Sequence, residues 1–169
     1  MMSKNHPSGW RGFMVLLSGL ALMMAACRAA NKPMVIDADG IYIVAKHKDL
    51  IFGYRKAIIT PNVNEFSRLY KTVISRLPVI IEETTPDEDA SDDINEAARL
   101  AKALGNVTVV RKGPVDVISD GDVLKILIIA VLVCDAEGSP RRCGGQGDLL
   151  SGAAAVFSCW LDAVDFRSP

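Results

Sequence analysis

Histidine is nearly missing from this sequence, and its scarcity removes whole classes of chemistry. Only His6 and His47 occur, so a histidine-based triad or a histidine metal cluster is close to excluded. The four cysteines (Cys27, Cys134, Cys143, Cys159) form no C-x-x-C pair. That argues against a zinc site or a disulfide framework and points to a reducing compartment. The formal net charge is −1, with no basic stripe, so nucleic acid is not an expected partner. No G-x-x-x-x-G-K-[ST] loop is present. Gly145-Gln146-Gly147 runs into Asp148-Leu149-Leu150, so the third glycine of a dinucleotide fingerprint is also missing. The apolar run from Gly12 to Ala26 falls short of the about 20 residues a membrane span needs, and no membrane partner is expected.

What remains is an ordinary globular composition. The 169 residues are 50% hydrophobic and 23% charged, which suits one domain with a sizeable core. The densest local signal is Gly138-Ser139-Pro140-Arg141-Arg142-Cys143-Gly144-Gly145-Gln146-Gly147-Asp148. It joins an apolar, strand-like run ending near Cys134 to a small-residue run from Leu149 to about Asp162 that reads as a helix. Glycines let the backbone approach a ligand closely and form an anion-binding nest. A helix start aims free N–H groups and a positive dipole end at the same point. Arg141 and Arg142 add cations suited to phosphate oxygens. Asp148, beside such a site, is the candidate catalytic carboxylate. The competing reading is a glycine-rich turn with Asp148 as the N-cap.

The order of the other segments suggests an α/β fold with a mainly parallel sheet. Residues 1–20 resemble a targeting segment, with Lys4 and Arg11 ahead of the apolar run, and Ala25-Ala26-Cys27 faintly resembles a lipoprotein cleavage site. A packed helix is the alternative, with Leu22, Ala25, Ala26 and Ala29 on one face. Residues 21–169 form the domain. Met34-Val35-Ile36 is a strand without alternation, as in sheets covered on both faces, and it delivers Asp37 and Asp39. Those carboxylates either cap the next turn or serve a magnesium or phosphate site. Ala57-Ile58-Ile59-Thr60 repeats the design, and Asn62 with Glu65 opens a helix whose inner face carries Phe66, Leu69 and Val73. Pro78 to Asp93, with seven acidic residues, is a solvated connector. Asp93 and Glu96 read as a capping box, Gly105 as the helix stop, and Val107–Val110 as the next strand, delivering Arg111-Lys112-Gly113. Asp120-Gly121 reads as a hairpin turn, although its second arm, from Val123 to Cys134, is too long for one strand.

Four segments together resemble the ATP-dependent NAD(P)H-hydrate dehydratases of the ribokinase-like superfamily. They are Lys32-Pro33-Met34-Val35-Ile36-Asp37-Ala38-Asp39-Gly40, Thr60-Pro61-Asn62-Val63-Asn64-Glu65-Phe66-Ser67-Arg68-Leu69, the stretch from Ala103 through Lys112-Gly113, and Arg141 through Gly152. The resemblance spans roughly residues 22 to 156, and its Arg-Arg-Cys run is similar to the ATP-using branch. It implies a ribokinase-like fold and ATP-driven removal of water from hydrated NADH and NADPH, S epimer, to give ADP and phosphate. By this resemblance Asn62, Val63, Asn64, Glu65, Phe66, Ser67, Arg68 and Asp148 meet the hydrated cofactor. Lys112, Gly113, Pro114, Val115 and Asp116 meet ATP, as do Gly138, Ser139, Pro140, Arg141, Arg142, Cys143, Gly144, Gly145, Gln146 and Gly147. Asp148 is the base on the ring hydroxyl. Mg2+ is the implied cofactor, with Glu65 a candidate contact through water. A homo-oligomer and a functional link to NAD(P)H-hydrate epimerase are compatible with the family, as is a cytoplasmic or mitochondrial location, against which the secretory-like start stands.

This sequence departs from the family's pattern in three places. The family is about twice as long, and its first half has no counterpart here. Asp122 to Ala130 reads as an insertion into the hairpin, and the tail from Phe157 to Pro169 drifts. The expectation is a partial chain that shows no ATP-dependent repair by itself. The alternatives are a small-molecule kinase of the same superfamily and a non-catalytic product.

Overall fold

The computed structural model describes residues 8–75, 92–121, 131–134 and 143–164. The chain order is helix α1 (Ser8–Ala29), strand β1 (Met34–Ile36), helix α2 (Asp39–Lys46), a short 3-10 turn (Lys48–Leu50), strand β2 (Ala57–Ile59) and helix α3 (Val63–Ile74). Helix α4 (Asp92–Ala103), strands β3 (Thr108–Arg111), β4 (Asp116–Ser119) and β5 (Val131–Cys134), and helix α5 (Gln146–Ala163) follow.

The strands form one sheet in sequence order, β1-β2-β3-β4-β5. The first three are parallel, with Val35 beside Ile58 and Ile59 beside Val109. The last two are antiparallel, with Arg111 opposite Val117 and Asp116 opposite Cys134. The sheet is thus mixed. The parallel strands are separated by helices, as parallel crossovers require, while β3 turns back into β4 through a short connection and β4 pairs antiparallel with β5. The two arms expected on either side of Asp120-Gly121 pair, but Ser119 stands opposite Val131 and the second arm is confined to Val131–Cys134, so Asp120-Gly121 does not by itself form the turn. The suspected insertion, 122–130, lies outside the described residues.

Strand alternation divides the sheet into two faces. Met34, Ile36, Ala57, Ile59, Val109 and Val117 are buried on one, packed with Phe66, Leu69 and Val73 of α3 and Ala97, Leu100 and Ala101 of α4 in one cluster. Val35, Ile58, Val110 and Ile118 on the other are half-buried. Helix α5 packs on β1 and contributes no buried residue.

The helices start and stop where local chemistry directs. Helix α3 carries the expected capping box: Asn62 Oδ1 accepts from the Asn64 and Glu65 amides, both at 3.0 Å, while Glu65 Oε2 accepts from the Asn62 amide at 2.9 Å. Helix α4 ends at Gly105 (φ 76°), where the Gly105 amide donates to Lys102 and the Asn106 amide to Ala101, closing a Schellman turn. Its start differs from the expected box. The helix begins at Asp92, so Asp93 lies within its first turn, and Asp93 Oδ2 pairs with Arg111 at 2.6 Å.

Helix α1 is continuous across the expected boundary near Leu20 and turns a different side inward. Leu17, Leu20, Ala21, Met24 and Cys27 pack against the core, whereas Leu22 is 70% exposed and Ala25, Ala26 and Ala29 also face out. Two anchors fix this rotation. The Met24 methyl reaches Gly40 of α2, where an added Cβ would lie 3.2 Å from it. Arg28 donates to the carbonyls of Asp49, Leu50 and Phe52 at 2.9, 3.2 and 2.9 Å. No helix among the described residues is long and apolar enough to cross a membrane.

Candidate active site

The parallel strands end side by side, so the residues that follow them collect at one edge of the sheet, the position where α/β sheets bind ligands. Asp37 follows β1, Thr60-Pro61-Asn62 follows β2 and Lys112 follows β3. The Thr60 amide donates to the Ile36 carbonyl at 3.0 Å, and the Lys112 amide to the Pro61 carbonyl at 2.8 Å. A parallel bridge between Asn62 and Lys112 extends the pairing beyond the strands. Lys112 Nζ donates to Asp37 Oδ1 at 2.9 Å, and both side chains are 17% exposed.

The glycine-rich segment comes to this edge. A Cβ added at Gly147 would lie 3.2 Å from Lys112 Nζ and 3.5 Å from Asp37 Oδ2. Gly145, in the left-handed conformation at φ 87°, is the N-cap of α5 and carries no side chain to cap it. The amides of Gln146, Gly147 and Asp148 are therefore the N–H groups that an anion would meet. The helix begins two residues before Asp148, which places Asp148 in its first turn and removes the N-cap role weighed for it. Cys143, Gly144, Gly145, Gln146 and Asp148 are exposed, and Gly147 is half-buried. Gly138, Ser139, Pro140, Arg141 and Arg142 lie outside the described residues.

The segment expected to meet the hydrated cofactor divides by helical period. Asn62, Val63, Asn64 and Arg68 are exposed, Glu65 and Ser67 half-buried, and Phe66 buried at 2% exposure. Phe66 stacks on Tyr70 at 5.7 Å and lies under the Arg111 guanidinium at 5.1 Å, so it can shape the edge only from beneath. A groove of about 230 Å³ opens beside this segment, lined by Asp39, Ile41 and Tyr42 of α2 and Glu65, Arg68 and Leu69 of α3. Past β3, the Gly113 amide donates to Asp116 Oδ1 at 2.8 Å, closing a tight turn that leaves Pro114 and Val115 exposed.

Two residues gain weight from the structure. For Asp37 the sequence allows a turn cap or a ligand role. Ala38 is the N-cap of α2 with no side-chain capping bond, and the Asp37 carboxylate is on Lys112. Arg111 stood in the sequence only as a neighbour of Lys112. It is 8% exposed, joins α3 to α4 through Phe66 and Asp93, and keeps a buried Nε without a partner. Alternation along β3 was the available signal, since Arg111 lies two residues after buried Val109.

No group of three or more His, Cys, Asp or Glu side chains able to hold a metal occurs among the described residues. Glu65 already uses Oε2 in the capping box. Magnesium is generally bound by one or two carboxylates together with substrate phosphates, which asks for fewer protein ligands than such a group.

A family profile described as NAD(P)H-hydrate dehydratase matches residues 18–166. A protein of Homo sapiens named ATP-dependent (S)-NAD(P)H-hydrate dehydratase is 48% identical over 145 residues, covering 86% of this chain and 37% of its own length. Proteins of the same name from Pongo abelii (48%, covering 86% and 39%) and Vitis vinifera (43%, covering 86% and 36%) match similarly. This chain spans about two-fifths of the length of these relatives. With the profile covering most of the chain and a mixed sheet flanked by helices beneath it, the chain belongs to the ribokinase-like NAD(P)H-hydrate dehydratase family.

Proposed function

We propose that this chain carries the phosphate-transfer edge of an enzyme that uses ATP to dehydrate hydrated NADH and NADPH, S epimer. The observation that carries the reading is the approach of Gly147 to Lys112 and Asp37 at the ends of the parallel strands, one residue before Asp148. The ATP phosphates lie at Gly144 to Gly147, with Lys112 to Asp116 along one side, and Gly138 to Cys143 are the remaining ATP contacts of this reading. The hydrated ring faces Asn62 to Arg68. Asp148 accepts the proton of the ring hydroxyl, whose oxygen attacks the γ-phosphorus as ADP leaves. Phosphate then departs with its C–O electron pair, and loss of a ring proton restores the double bond. The helix start and the Lys112 ammonium stabilise charge on the transferring group, which is most of what phosphoryl transfer asks of a protein. Mg2+, when bound, would be held by the nucleotide phosphates with Glu65 a candidate contact through water, and would neutralise charge on them. A homo-oligomer, a functional link to an epimerase of the same hydrates, and a cytoplasmic or mitochondrial location complete the proposal.

The test is recovery of NADH absorbance from the S hydrate, with ATP consumption and free phosphate followed in parallel, in a chain extended to family length. Asp148→Asn should keep ATP binding and lose about 10²–10⁴-fold in turnover. Ala at Arg141 or Arg142 should weaken ATP more than the hydrate. ATP consumption without restored NADH would instead identify a kinase that keeps its phosphorylated product. The 169-residue chain alone should show no recovery, because an exposed Asp148 neither excludes water nor fixes the ring.

A further inference from the structure

Of the two roles open to the Asp37 carboxylate at its strand end, the structure removes the turn cap. The carboxylate caps no helix, and its hydrogen bond crosses from the end of β1, past β2, to the lysine after β3. Lys112 is otherwise a long, flexible side chain with three donors and substantial rotamer freedom to lose. Asp37 Oδ1 holds its ammonium at 2.9 Å, and the same carboxylate presents Oδ2 toward Gly147. With a side chain at position 147, the Cβ would stand 3.2 Å from that ammonium, so glycine leaves the gap between Lys112 and the first turn of α5 open. Next to Asp37, Ala38 holds φ 46° and ψ −116°, a conformation that L-residues rarely adopt. Such strain persists only where its surroundings enforce it, and it often marks a functional constraint.

We infer that Asp37 is a positioning residue, holding the Lys112 ammonium against the start of α5 so that it meets the nucleotide phosphates there. The inference rests on the nucleotide site proposed above. One Lys112 donor stays on Asp37, and the others are aimed at the space in front of Gly147, where the helix N–H groups also point. Pre-setting the ammonium removes the ordering cost that a free lysine would add to binding. A purely structural ion pair, joining β1 to β3, would make a different prediction: its loss would lower stability and leave nucleotide affinity alone.

The experiment is a double-mutant cycle on the 169-residue chain, with ATP affinity measured by calorimetry in magnesium buffer and unfolding followed by circular dichroism. Asp37→Ala should weaken ATP by at least about tenfold, the scale of a misplaced charge-assisted hydrogen bond. Asp37→Asn keeps an acceptor and should recover part of the loss, and it serves as the readout if the alanine variant fails to fold. In a Lys112→Ala background, Asp37→Ala should change ATP affinity less than twofold, because a residue acting through Lys112 has nothing left to position. Additive losses, or an Asp37→Ala chain that is less stable but binds ATP like the parent, would overturn the positioning role and leave the nucleotide site standing. A parent chain that binds no ATP would overturn both.

Discussion

Helices α3 and α5 both pack on the sheet, yet they differ in how they use their apolar residues. In α3, Phe66, Leu69 and Val73 are buried and the polar residues face out. In α5, small and polar residues (Ser151, Ala154, Ala155, Ser158) are half-buried, while Leu149, Phe157, Trp160 and Leu161 are each more than half exposed. The first is the division expected of a helix covering one face of a core, whereas a helix that is apolar all round belongs in an interior. The consequence is a division of labour. The sheet face under α3 and α4 holds the buried core, and the α5 side brings the glycine-rich helix start to the strand ends with an apolar back open to water. A rigid edge formed by β1 to β3 therefore meets a helix held mainly by small-residue contacts and by the Lys56–Asp162 pair at 2.5 Å. The Lys56 hydrogen bond holds the Asp162 carboxyl below its ordinary value, so that tie is present at neutral pH and lost as pH falls through the lowered value.

The largest test of this division is Phe66→Ala. It removes a ring that is stacked on Tyr70 and roofed by Arg111, and such truncations cost about 3–5 kcal/mol. Urea unfolding should show that loss; a cost under about 1 kcal/mol would mean that the α3 side is not where the core sits. Next comes Gly105→Ala. The residue is at φ 76°, and its added Cβ would stand 2.6 Å from the Gly53 amide, which donates to the Leu104 carbonyl at 2.9 Å. Strain and a backbone clash together predict a loss of about 2 kcal/mol, read as a lower midpoint in the same titration.

These two residues also show what was legible in advance. Phe66 and Gly105 were readable because local rules govern them: helical period places one, and the left-handed stop places the other. The parallel order of β1 to β3 followed from continuous apolar runs separated by helices. The rotation of α1 was not readable, because Leu22 and Met24 are equally apolar and only the distant Gly40 and the 49–52 carbonyls choose between them. The same limit applies to α5, where small residues run together from Gly152 to Ala155 and only Ala154 and Ala155 turn inward, while Gly152 and Ala153 are exposed. At the site, the types of the charged residues could be read but not their pairing. Asp37 and Lys112 lie 75 positions apart, and no local rule joins them.

A smaller effect is expected at the entrance of α3. Asn62→Ala removes the acceptor for two helix amides and leaves the Glu65 half of the box in place. The cost should be about 1 kcal/mol, while Asn62→Asp, which keeps an acceptor there, should stay near the parent. If both variants lose ligand affinity without losing stability, Asn62 acts on the ligand itself and the cap is secondary.

The smallest effect on stability, and the sharpest for the comparison, belongs to the back of α5. Trp160 is 62% exposed and touches Phe157 edge-to-face at 5.5 Å; Leu161 is 64% exposed. Replacing either by serine removes little buried surface, so unfolding free energy should move by no more than about 0.5 kcal/mol. Self-association should move much more. Adjacent exposed aromatic and aliphatic side chains form the kind of patch that draws apolar surfaces together, and each serine shrinks it. Sedimentation velocity across a concentration series should therefore show the parent associating more strongly than the double variant Trp160→Ser/Leu161→Ser, at equal monomer stability. A stability loss of about 2 kcal/mol or more in the monomer would mean that the back of α5 is already buried against the chain, and the contrast with α3 would disappear.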